Sequence, residues 1–232
     1  MNGMKEVLLD IASPELIGLS YFIGEQFDRM SSLCEFLKGV LRKEAKRRHA
    51  HAQRQRNDCV GEEEQAFISV SIDDSLFEIE RDFPRIVRYS LFVSMMSTTE
   101  SCLIRLCRVA HSSLNIQVEF KEKDNDVIQR ALKYLRDKAG LDTSRMRHHK
   151  ELADSLRNLR NAIIHSNGCI KGRSKESDIR AFAKPGVGVE IDKRNNIVLL
   201  DRFVMNNTGG MKELVLQLYR KLKKQIGARA AE

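Results

Sequence analysis

The sequence has no tryptophan and only three prolines, Pro14, Pro84 and Pro185. An interior proline removes a helix hydrogen bond and clashes with the preceding turn, so the long stretches between these three favour helices. Aromatic residues make up 6% of the chain, which argues against a sandwich or barrel, whose strands are rich in aromatic and β-branched side chains. The five cysteines, Cys34, Cys59, Cys102, Cys107 and Cys169, are odd in number and irregular in spacing, with no Cys-x-x-Cys pair. They read as reduced thiols, some of them buried as small apolar residues. Met1 to Asp10 holds no long apolar run, and no stretch approaches the length of a membrane span. The expectation is a soluble, cytoplasmic protein without a membrane partner. There is no phosphate-binding glycine loop of either common type. His49 and His51, two apart, point to different helix faces, while His148 and His149 are adjacent, so neither pair is placed to chelate a metal. No cofactor or metal is expected.

The chain has 232 residues, 42% of them hydrophobic, enough for a real core in one domain spanning 1–232. The net charge is +8, which suits either a phosphate-rich partner or simple solubility. Arg42, Lys43, Lys46, Arg47, Arg48, Arg54 and Arg56 crowd one segment, and a second basic zone runs from Arg145 to Lys175. Neither is interleaved with aromatics, which argues against a base-stacking platform in them.

Apolar periodicity organises the rest. Leu16, Leu19, Ile23, Phe27 and Met30 recur at spacings of three and four and continue to Leu41, predicting a long N-terminal helix over about 14–57, with Ser13 as its cap. Cys59 to Glu64 reads as a break, and Pro84 as a fresh start for a broad apolar helix reaching Ala110. Val127 to Ala139 is a short amphipathic helix stopped by Gly140. Leu152, Leu156, Leu159 and Ile163 form a core stripe on a helix over about 144–165, which Ser166, Asn167 and Gly168 end. A polar loop follows, then a β-hairpin over about 187–200. Gly209 and Gly210 read as a turn before a last helix over about 211–226. The simplest assembly is all-α: an antiparallel bundle of four or five helices, with the small hairpin inserted before the last one.

One string carries chemistry: Arg160-Asn161-Ala162-Ile163-Ile164-His165, at the end of an amphipathic helix. Asn161 and His165, four apart, share a helix face. Arg160 lies about 140° round the axis from His165, so the two meet only through the reach of the arginine and the loosening of the helix end. Histidine can take or give a proton near neutrality. Arginine keeps its charge and can hold two phosphate oxygens at once.

This R-N-x-x-x-H motif resembles that of the HEPN superfamily (higher eukaryotes and prokaryotes nucleotide-binding domains), over roughly Pro84 to Ile226 and most closely Glu151 to Gly168. The resemblance implies an all-α bundle and a metal-independent RNA endonuclease acting as a toxin or antiviral defence effector. Its site would form where two motifs meet across a homodimer, with RNA as substrate and an antitoxin or regulatory protein as a further partner. In that frame Arg160 clamps phosphate, His165 transfers the proton, and Asn161 orients by a hydrogen bond. Glu100 is the acidic residue of an earlier helix that would face the motif arginine. Some family members carry tyrosine two residues after the histidine, as a modification target. Here the position is Asn167, so that control is not implied. Other readings stand beside these. Glu100 can be an ordinary side chain at a helix edge, and Arg160 and His165 can be helix-end cations favoured by the dipole. The whole can be a non-catalytic HEPN-like nucleotide- or RNA-binding or dimerisation module.

Overall fold

A computed structural model describes residues 14–58, 61–121 and 126–229. Helix α1 (Pro14–Asp58) follows the expected stripe: Leu16, Leu19, Ile23, Phe27 and Met30 are buried on one face. The proposed Ser13 cap and Cys59 lie outside the described residues. Helix α2 (Glu62–Phe77) returns along α1, and a π-helical turn (Glu78–Asp82) joins it to α3 (Phe83–Ser113).

Pro84 stands in the first turn of α3, as expected of a fresh start, but no gap in the helical chain precedes it. The chain stays helical up to it, because the Phe83 N–H reaches back five residues to the Glu78 carbonyl. This wider turn accommodates a proline that has no N–H to give.

Helix α3 is the centre of the molecule, with α1, α4 (Val127–Asp137), α5 (Arg147–Ser166) and α7 (Phe203–Arg229) all packed against it. Phe92, Met95, Met96, Leu103 and Leu106 of α3 are fully buried, each contributing about 2 kcal/mol by removal from water. One contiguous core runs from α1 to α7. This is the expected all-α bundle with a hairpin.

The far half of α1 leaves this core and pairs with α2 as a two-helix arm. Its buried apolar residues, Ala52 and Ile72, stand apart from the main core. Polar bonds hold the arm instead. The Arg48 guanidinium donates to the Ser75 carbonyl at 3.0 Å, and Arg56 lies 3.2 Å from Asp73. At the base of the arm His49 meets Glu80 across 2.6 Å.

Beyond α5 the structure departs from the sequence pattern in detail. The polar loop contains a short helix, α6 (Glu176–Phe182), which buries Ile179. Val187 belongs to a 3₁₀ turn, so the hairpin is shorter than expected. Its strands β1 (Val189–Ile191) and β2 (Ile197–Leu199) pair antiparallel, with Glu190 opposite Val198. The expected turn at Gly209 and Gly210 is absent, and both glycines lie inside α7, which starts at Phe203. Burial of Phe203 and Val204 outweighs the low helix propensity of two glycines. Gly210 also faces α5 closely, since a Cβ there would meet a Leu152 methyl at 3.4 Å.

Candidate functional site

Helix α5 presents its buried stripe, Leu156, Leu159 and Ile163, to the core, and this sets where the motif residues fall. Arg160 turns toward α3 and lies 3.6 Å from Glu100, Nη1 to Oε1, with the two side chains only 25% and 18% exposed. The Arg160 Nε is buried and has no hydrogen-bond partner among the described residues. Burial pushes the Glu100 carboxyl above its ordinary pKa, and the Arg160 charge offsets this only in part. The two charges are thus held together in a partly dry setting, where an unpaired charge is costly.

Asn161 and His165 stand on the other side of α5, both exposed, with Ile164 between them 48% exposed. Neither Asn161 nor His165 makes a side-chain hydrogen bond among the described residues. So the structure pairs Arg160 with Glu100, while Asn161 and His165 form a solvent-facing patch on another face of the same helix.

The end of α5 is firmly built. Asn167 and Gly168 adopt left-handed conformations, φ 48° and 86°. The Gly168 N–H closes the helix by bonding to the Ala162 carbonyl at 3.1 Å. Arg173 reaches back to the Ser166 hydroxyl.

Sequence reasoning missed Tyr89. This buried α3 residue donates its hydroxyl to the Ile197 carbonyl at 2.5 Å, tying the hairpin to the bundle. Burial raises its pKa to about 12. Gly168 lies directly against it, so that a Cβ at Gly168 would fall 2.1 Å from the Tyr89 oxygen. No residue-type pattern links positions this far apart in the chain.

The other expected features fall as follows. In the basic arm, Arg47 and Arg48 are engaged by Glu44, and Arg56 by Asp73. Cys34, Cys102 and Cys107 are buried free thiols; burial raises the pKa of each, that of Cys102 to about 11. Among the described residues no three or more His, Cys, Asp or Glu side chains gather as metal ligands, and no helix is long and apolar enough to cross a membrane. No family model, curated protein or solved structure matches this chain.

Proposed function

We propose that the chain is a metal-independent RNA endonuclease of the HEPN type, serving as a toxin or antiviral defence effector. The observation that carries this reading is that one helix bears both the half-buried Arg160–Glu100 pair and, on another face, the exposed Asn161–His165 patch. Glu100 holds the guanidinium in place while leaving the Arg160 Nε without a partner. A second copy related by a two-fold axis brings its own patch to the first, placing two arginines and two histidines around one phosphate. The exposed Ile164 gives that contact an apolar centre.

In the reaction, the 2′-hydroxyl attacks the adjacent phosphorus and its proton passes to one histidine. The P–O5′ bond breaks, and the leaving oxygen takes a proton from the other histidine. The products are a 2′,3′-cyclic phosphate and a 5′-hydroxyl end. Arginine stabilises the crowded negative charge of the transition state. DNA lacks the nucleophile and is not a substrate. An antitoxin or regulatory protein would act by covering the same face.

The test is a labelled single-stranded RNA incubated with the protein in excess EDTA, beside His165→Ala. Cleavage by the wild type alone, leaving a cyclic phosphate, supports the reading. Equal cleavage by both proteins rejects it. The exposure of Asn161 and His165 also favours a second reading, a binding or dimerisation module of the same type without catalysis. Dimerisation that Ile164→Asp disrupts, in the absence of cleavage by the wild type, would support that one.

A further inference from the structure

A groove of about 630 Å³ opens between the π-helical turn, the start of α3 and the hairpin. Five cations line it: Arg81, Arg85, Arg88, Lys193 and Arg194. Its acidic residues are already engaged. Glu80 is bonded to His49, and Asp82 lies 3.8 Å from Arg85. Asp192 accepts N–H bonds from Arg194 and Asn196 within the hairpin turn, at 2.8 Å each. Arg88 is taken by Asp201. Arg81, Lys193 and Arg194 are exposed and form no ion pair within 4.0 Å among the described residues, although the Asp192 carboxylate lies close enough to Arg194 to feel its charge.

The groove also has an aromatic element. The Arg81 guanidinium lies over the Phe77 ring, 5.0 Å from its centroid, and Phe77 is 48% exposed. A half-exposed ring with a stacked guanidinium and exposed cations beside it matches a ligand that carries planar groups along an anionic backbone. An acidic peptide would use the cations and leave the ring idle.

We propose that this groove seats a single-stranded nucleic acid, with phosphates on Arg81, Lys193 and Arg194 and a base against the Phe77–Arg81 stack. The local structure suits the task. The Asp192 turn holds Lys193 and Arg194 at the hairpin tip, and the Tyr89–Ile197 bond fixes the hairpin against α3.

The groove also adjoins the end of the motif helix. Tyr89 lines it and touches Gly168 at the end of α5. From Tyr89 to Glu100 is about 16 Å along α3, and His165 lies on the stretch of α5 between Arg160 and Gly168. A strand continuing from the groove along α3 would approach the end of α5 that carries the motif. The seat stands independently of the ribonuclease reading, and only this continuity rests on it.

The test is fluorescence anisotropy of a labelled 12-nucleotide oligoadenylate with the full chain. The double substitution Lys193→Glu/Arg194→Glu should weaken binding about tenfold or more and lower the salt slope by about 1.4. Phe77→Ala should weaken it about fivefold. Arg54→Glu, on the arm, should leave affinity within about twofold of wild type, being outside the phosphate contacts. Lys193→Gln/Arg194→Gln should give the same direction with a smaller loss, and a melting curve shows that each variant is folded. Wild-type affinity in the double charge reversal overturns the seat, as does polyglutamate competing as well as RNA. Groove-dependent binding without cleavage rejects the ribonuclease reading and leaves the seat standing.

Discussion

Glu100 and Arg160 form an ion pair between α3 and α5 in which the carboxyl is raised above its ordinary pKa, because burial outweighs the neighbouring cation. An acid with a raised folded-state pKa binds more protons folded than unfolded over the interval between the two values. Stability from this group is therefore full below the unfolded pKa and is lost as pH rises through the folded one. Glu100→Gln should flatten that fall. Urea melts of both proteins across the acid range provide the check, and parallel curves would refute it.

Arg160→Lys keeps the charge beside Glu100 but removes the planar fork. If Arg160 clamps phosphate, cleavage should fall by about a hundredfold or more, while the melting temperature stays close to that of wild type. An unchanged cleavage rate would remove Arg160 from the site.

Gly168→Ala should destabilise by about 2 kcal/mol or more, since it puts a Cβ at a left-handed position and into the Tyr89 hydroxyl. Tyr89→Phe alone should cost about 1 kcal/mol for the lost bond to Ile197. The double variant should cost less than the sum, because removing the hydroxyl relieves the closest clash. Additive losses in chemical denaturation would disprove the coupling.

Gly209 lies inside α7 with nothing within 4 Å of a Cβ placed there. Gly209→Ala should stabilise by about 1 kcal/mol, the helix-propensity difference. A turn at this position would give the opposite sign in thermal unfolding.

Arg48 joins α1 to the end of α2 through Ser75 and Glu78, and it lies over the Phe83 ring. Arg48→Ala should speed amide exchange in α2 and leave α3 protection unchanged, since the arm is outside the main core. Uniformly faster exchange would show the arm to be part of the same cooperative unit.

Much of the fold is legible in the residues. The α1 stripe, the Gly140 stop, the Leu152–Ile163 stripe and the Asn167–Gly168 cap all follow from spacing and backbone preference, which are local properties. The misreadings share one cause. The Gly209–Gly210 pair and the polar stretch before the hairpin look like breaks locally, but the burial of Phe203 and Val204 keeps the first helical, while Pro84 does open α3, joined to α2 without a gap by a π-turn bonded through Phe83. Helix α6 hides in a polar stretch because Ile179 is its one buried residue. The candidate site divides in the same way. Arg160 and His165 stand out in sequence, and Glu100 can be nominated as an acid on an apolar helix.

The sequence by itself determined the helical class, the motif helix and its cap, because periodicity and left-handed preference act within a few residues. Only the tertiary structure decided that Arg160 faces Glu100 while Asn161 and His165 face solvent, since that depends on which side of α5 the core occupies. It also decided that Tyr89 meets Gly168 and Ile197, and that Phe77, Arg81, Lys193 and Arg194 border one groove. Those residues are far apart in the chain, and only the packing of α3 against α5 and the hairpin brings them together.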